Sequence, residues 1–118
     1  MLNQRPITTM KIFDAEAILA SGSALSVAID LREIANNGYF ALHYITTGTG
    51  TTKFEYLYAP EKDGTYIEPA GATDIGATLA AGSGIKSFSP ELGAFMKIKA
   101  SEDGTAQAIV VTAWIHIQ

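Results

Sequence analysis

Chemistry at a protein site needs an acid or base, a nucleophile, a metal-binding set or a phosphate cradle, and each has a residue signature. The chain has two histidines, His43 and His116. Neither has a second metal-type residue at a useful local spacing, so a ligand set would have to assemble in space. Both fall in predicted strands, where a sheet-surface or hydrogen-bonded role competes with that of ligand or base. There is no cysteine, which removes the thiolate nucleophile, the thiolate zinc site and the disulfide framework together. Ser83 lies between Gly82 and Gly84, but Ala81 and Ile85 outside them do not complete a G-x-S-x-G elbow. Gly48-Thr49-Gly50 is too short for a phosphate loop and lacks its lysine. Asp63, Glu102 and Asp103 sit near turns, where a carboxylate ordinarily caps backbone amides, and calcium would need several more oxygens at defined positions. These residues predict no catalytic group, no metal ligand and no cofactor, hence a protein that is not an enzyme. The one enzymatic arrangement left open is a carboxylate pair that meets only in the folded chain.

Composition narrows the partners. With 118 residues the chain has room for one core. The net charge is −4, and the eight Lys and Arg are scattered along the chain. Phosphate backbones need a concentrated basic patch, so no nucleic acid is expected as a partner. No segment approaches the about 20 apolar residues of a membrane helix, so no membrane is expected either. The first residues, MLNQRPITTM, lack the charged region and apolar run of a signal peptide.

What must position any functional group is a set of short strands. Phe54, Tyr56 and Tyr58 alternate with Lys53, Glu55 and Leu57, the period of a strand with two different faces. The chain breaks at Ala59-Pro60, turns through Asp63-Gly64 and resumes at Tyr66-Ile67-Glu68, which predicts a β-hairpin with Gly64 supplying a positive φ. Residues 39–46 place Phe40, Leu42 and Tyr44 on one face, and Thr47 to Thr51 make a small link to the next strand. The two strands are therefore expected as antiparallel neighbours whose large side chains form half of the core. Residues 24–31 predict another strand, with Leu25, Val27, Ile29 and Leu31 on its buried side.

The remaining segments follow the same logic. Residues 1–8 form a flexible arm ahead of a single domain over 9–118. Residues 7–13 begin a strand, while 14–20 fit either its continuation or a short helical turn, with strand preferred. Residues 70–87, rich in Gly, Ala, Thr and Ser, lose periodicity and are read as a long excursion, or as a loop containing an edge strand over 75–79. Alternation returns at 94–100, and a second Asp-Gly turn at Asp103-Gly104 leads into the last strand. There Ile109, Val111, Ala113, Ile115 and Ile117 form one stripe, and Val110, Thr112, Trp114 and His116 the other. A strand so apolar on both sides is central in a sandwich or is covered by a second subunit. The fold class is all-β, an antiparallel β-sandwich, jelly-roll-like, of about seven or eight strands.

FEYLYAPEKDGTYIEP, Ser87-Phe88-Ser89-Pro90-Glu91-Leu92 and AFMKIKASEDGTAQAIVVTAWIHIQ together resemble small β-sandwich virion proteins of tailed bacteriophages and prophages. Those proteins pair a DGT-aromatic hairpin with an F-S-P strand and a terminal T-A-W strand. There is a weaker likeness to discoidin-like carbohydrate-binding domains. The resemblance implies a capsid decoration protein or a head or tail accessory protein, made in the host cytoplasm and assembled into the virion. Its partners would be a major capsid or tail protein and further copies of itself, a trimer by analogy.

A sandwich this small has limited interior for both stripes of its last strand, which also points to a homo-oligomer. Candidate interface residues are Arg5 and Ile7 in the arm, Ile75, Leu79 and Ile85 in the excursion, and Trp114 and His116 at the end. The alternative function is a carbohydrate-binding module with glycans as partners. Tyr39, Tyr44, Tyr56, Tyr58, Tyr66 and Trp114 would stack on sugars if several faced solvent together, whereas packing in the core or at its rim is the competing role of each.

Overall fold

Strand alternation in the sequence becomes strand pairing in the computed structural model, which describes residues 6–118. Among these residues the strands are β1 (Thr8–Ile18), β2 (Ser23–Leu25), β3 (Ile29–Asp30), β4 (Phe40–Gly48), β5 (Thr52–Ala59), β6 (Gly76–Leu79), β7 (Gly82–Phe88), β8 (Phe95–Glu102) and β9 (Ile109–Ile117). The first sheet has the order β1-β9-β4-β7 and the second β2-β8-β5-β6, with β3 also on β8. Every pairing is antiparallel. The pairs are nested: β1 with β9, β2 and β3 with β8, β4 with β7, β5 with β6. That is one long hairpin bent double, and rolling it brings β9 beside β4 and β8 beside β5. The result is the jelly roll expected from the sequence.

The two inner faces make the core. Leu42, Val111, Ala113, Ile115 and Ile117 of the first sheet are fully buried against Phe54, Met96, Ile98 and Ala100 of the second. Burying each large side chain contributes about 1.5–3 kcal/mol. The aromatic faces of β4 and β5 are buried as expected, but the strands are not neighbours in one sheet. Residues 49–51 cross from the first sheet to the second, so the two faces meet across the core and not side by side. Two such faces cannot both be buried against each other within one sheet, whereas opposite sheets bring them face to face.

The strand expected over 24–31 is interrupted. Ser26 turns inward and its hydroxyl accepts the Ile98 N–H at 2.9 Å, while its own N–H donates to the Ile98 carbonyl. Ala24 and Ser26 face inward before this point, and Ile29 and Leu31 after it. This change of phase leaves Leu25 at 51% and Val27 at 70% exposure, on the solvent side and not the buried one. A side-chain oxygen standing in for a backbone carbonyl shifts the alternation without altering residue hydropathy, so the pattern alone cannot show it.

Over 14–20 the strand prevails, since β1 runs to Ile18. Two register shifts against β9 let Ile12 and Phe13 both turn inward. The excursion at 70–87 is not a long loop: it holds the edge strand β6, then β7, a full strand of the first sheet. The hairpin after β5 is held by one bridge, Tyr58 to Ile67. Its turn closes through the Gly64 N–H on the Glu61 carbonyl at 3.0 Å, without the positive φ expected of Gly64. Gly104 does adopt one, at +96°. Residues 1–5, including Arg5, lie outside the described residues, and Thr8 already belongs to β1.

Candidate functional site

The outer face of the first sheet collects the side chains that β9 does not bury. Register places Trp114 between Lys11 of β1 and His43 of β4, and His43 opposite Ile85 of β7. One row therefore crosses all four strands. Lys11 Nζ stands 5.4 Å from the Trp114 ring centroid and 3.1 Å from Asp14 Oδ1. The His43 ring lies 5.2 Å from Trp114 and 6.1 Å from His116, and the Thr9 hydroxyl is 2.9 Å from His116 Nδ1. Trp114, His43 and His116 are half-buried by one another, while Ile45, Val110 and Ile85 are exposed beside them.

A hydroxyl on an imidazole is the geometry of nucleophile and base, but catalysis also needs a group that orients the imidazole and donors for developing charge. Among the described residues no carboxylate bonds His116, and neither histidine joins a cluster of three potential metal ligands. The row is an apolar and aromatic surface with one cation at its end. Its physical aptitude is contact with another apolar surface.

A second constellation was not legible in the sequence. Glu55 of β5, Glu68 after the hairpin and Asp74 bring carboxylate oxygens within 4.8 Å of one another. Glu55 and Glu68 share a hydrogen bond, which holds the Glu55 carboxyl below its ordinary range and lifts that of Glu68. Lys53 Nζ adds a 3.5 Å ion pair to Glu55. This is a carboxylate pair formed in space, but the two groups bond each other directly. A glycosidase pair stands apart, about 5 to 9.5 Å, with the substrate between.

The tyrosines disperse. Tyr44 and Tyr56 are buried, Tyr58 and Tyr66 partly so, and Tyr39 is 68% exposed. The Tyr56 hydroxyl donates to Glu91 Oε2 at 2.8 Å, and Lys97 Nζ caps the Tyr66 ring at 4.5 Å. Of the interface candidates, Ile75 is a core residue at 7% exposure and Leu79 packs against that core. Both belong to the end of the second sheet, where β6 closes the sandwich. Ile85, Trp114 and His116 come together on the outer face. Ile7 is exposed beside them, in a cleft of about 370 Å³ lined also by Tyr39, Phe88 and His116.

Fold and site thus define a jelly-roll β-sandwich with an apolar outer sheet face. No family model matches the sequence, and no curated protein is similar to it. Solved structures are similar over most of this chain. A chain from the structure of infectious bursal disease virus Gx strain is similar over 97% of this chain and 32% of that one, with a TM-score of 0.51 and 14% identity. A chain from Bacillus endospore appendages, described as a family of disulfide-linked pili, is similar over 97% of this chain and 88% of that one, with a TM-score of 0.48 and 18% identity. At 14% identity the likeness to the viral chain is one of fold alone.

Proposed function

We propose that the protein is a non-enzymatic structural subunit of a phage particle, a capsid decoration or cement protein or a head or tail accessory protein. It acts by self-association and by contact with a major capsid or tail protein. The observation that carries this reading is the row Lys11, Trp114, His43 and Ile85 on an uncovered sheet face. Among the described residues nothing lies over that face, and a second protein surface would bury it. The phage assignment draws on the resemblance of the DGT hairpin, the F-S-P segment and the T-A-W strand. Thr112-Ala113-Trp114, the T-A-W segment, sets its tryptophan at the middle of the exposed row.

The reading is tested on purified particles from the lysogen or phage that encodes the chain. Quantitative mass spectrometry is expected to find it at a fixed copy number relative to the major capsid or tail protein. Particles without it would overturn the assignment. Light scattering of the purified chain at micromolar concentration is expected to show more than one copy, and Trp114→Glu, on the exposed row, to lower the amount of the chain found in the particles.

A further inference from the structure

A two-sheet sandwich has four edges, and an edge strand with regular, unpaired backbone groups is a template for another strand. Three edges of this molecule are blunted. β1 carries two register shifts against β9, holds Ala15 at φ +49° and bears Lys11, Asp14 and Glu16. β2 and β3 are three and two residues long, with a break between them. β6 has four residues, a register shift against β5 and Thr78 at φ +53°, whose N–H donates to Asp103 Oδ2 at 3.1 Å.

The fourth edge is different. β7 pairs with β4 in unbroken register from Phe40↔Phe88 to Thr46↔Gly82. It has no proline, and its one charged residue is Lys86. The phase of the ladder follows from the far end of β4. Tyr39 and Gln118 exchange both backbone hydrogen bonds, at 3.2 and 3.0 Å. Antiparallel partners alternate, so Phe40, Leu42, Tyr44 and Thr46 turn their N–H and C=O groups towards β7. They are met there by Phe88, Lys86, Gly84 and Gly82. Ser83, Ile85 and Ser87 consequently direct theirs to the open edge. The Ile85 side chain, opposite His43, stands on the apolar outer face at 63% exposure.

We propose that β7 pairs antiparallel with β7 of a second copy about a two-fold axis through Ile85, joining two four-stranded sheets into one. The inference rests on the self-association proposed above and names its surface. The strand is self-complementary about that axis. Ile85 meets Ile85 of the partner subunit and Ser83 meets the partner's Ser87, each through outward backbone groups, in a ladder of about six hydrogen bonds. Lys86 faces the partner's Gly84, so no like charges are opposed. The axis keeps both outer faces on one side, and the row Lys11, Trp114, His43, Ile85 continues into the second copy as one surface. Such a contact is isologous and closes as a dimer, whereas the trimer implied by resemblance would need a heterologous one.

The test compares the native chain with three single variants by light scattering, with circular dichroism to verify the fold. Ile85→Pro removes the central outward N–H but none that bonds β4, a position at which an edge strand tolerates proline. Ile85→Lys opposes two charges across the axis. The native chain is expected to be a dimer and both variants folded monomers. Ile85→Cys leaves the backbone intact in a chain without other thiols. Hydrogen-bonded partners have Cα atoms about 5.5 Å apart, within disulfide range, so mild oxidation is expected to link it as a dimer. Val27→Cys, exposed in the break between β2 and β3, is the control and is expected to stay unlinked. If the first two variants keep the native mass and Ile85→Cys links no better than the control, the β7 contact is overturned and self-association uses another surface. If the native chain is itself a monomer at micromolar concentration, both this contact and the self-association reading fall.

Discussion

The Tyr44 and Phe54 rings lie 5.4 Å apart, centroid to centroid, and join the two sheets across the core. Tyr44 belongs to β4 and Phe54 to β5, so the three residues between the strands, 49–51, suffice to leave one sheet and enter the other. The hydroxyl end of Tyr44 rests over Gly84 on the neighbouring strand β7. A Cβ at that glycine would stand 2.6 Å from the hydroxyl oxygen and 2.8 Å from Cζ.

Gly84→Ala is therefore expected to destabilise the fold by about 1–3 kcal/mol, because Phe54 keeps the ring from swinging aside. Adding Tyr44→Phe removes the nearer contact and is expected to restore part of the loss. Urea denaturation of the two single variants and the double variant measures this coupling. Strict additivity would show that the ring and Gly84 do not interact.

Thr52 and Thr46 carry buried hydroxyls without a hydrogen-bond partner among the described residues. An unpaired buried hydroxyl costs about 1–3 kcal/mol, and its replacement by a group of the same shape removes that penalty. Thr52→Val is accordingly expected to raise the thermal midpoint, whereas Thr52→Ser, which leaves the hydroxyl and opens a small cavity, is expected to lower it. Calorimetry of the pair separates polarity from packing.

Glu102 fastens two loops to the end of β8. Its carboxylate accepts the Ser21 N–H at 2.9 Å, the Thr105 N–H at 3.2 Å and the Thr105 hydroxyl at 2.9 Å. These bonds, that of Ser21 foremost, hold its carboxyl below the ordinary range against the opposing effect of burial. A depressed folded-state value makes this contribution fully present above the unfolded-state value of about 4.3 and lost as pH falls below it. Glu102→Gln is expected to be less stable at neutral pH and to show a flatter decline from pH 5 to 3 than the native chain. Urea midpoints across that range test it, and parallel curves would refute the assignment.

Burial, reinforced by the hydrogen bond to Glu91, pushes the Tyr56 hydroxyl up to about 12, and burial raises that of Tyr58 too. For a phenol the raised value means that the folded state disfavours the anion. Stability is thus whole below the unfolded value of about 10 and falls as pH climbs through the interval above it. Absorbance titration is expected to show Tyr56 and Tyr58 resisting ionisation until the fold opens. Tyr56→Phe removes one of them and is expected to reduce the alkaline loss of stability.

Much of the architecture was legible because side-chain alternation is a local property. The inward stripe of β9, the Met96, Ile98 and Ala100 face of β8, and the aromatic faces of β4 and β5 each follow from period two. The same rule loses its grip where alternation is not expressed in hydropathy. Ser26 hides a change of phase behind a hydroxyl. β6 and β7 consist mostly of small and polar residues, with Leu79, Ile85 and Phe88 the exceptions, because an edge strand has little to bury. At Ile75 an apolar residue in a Gly-rich segment read as surface, whereas the closing of the sandwich over β6 made it core.

The candidate site divides along the same line. Trp114 and His116 could be placed on the second stripe of the last strand from the sequence, and Ile85 in the segment before β8. That His43 lies beside both rings, that Ile85 ends the row, and that Glu55, Glu68 and Asp74 converge depended on which strands pair and in what register. By itself the sequence determined which residues share a side wherever a strand keeps its alternation unbroken, since backbone geometry sets that within a few residues. Only the tertiary structure decided which strands are neighbours and which edge is left open, since those follow from the burial of distant faces against one another.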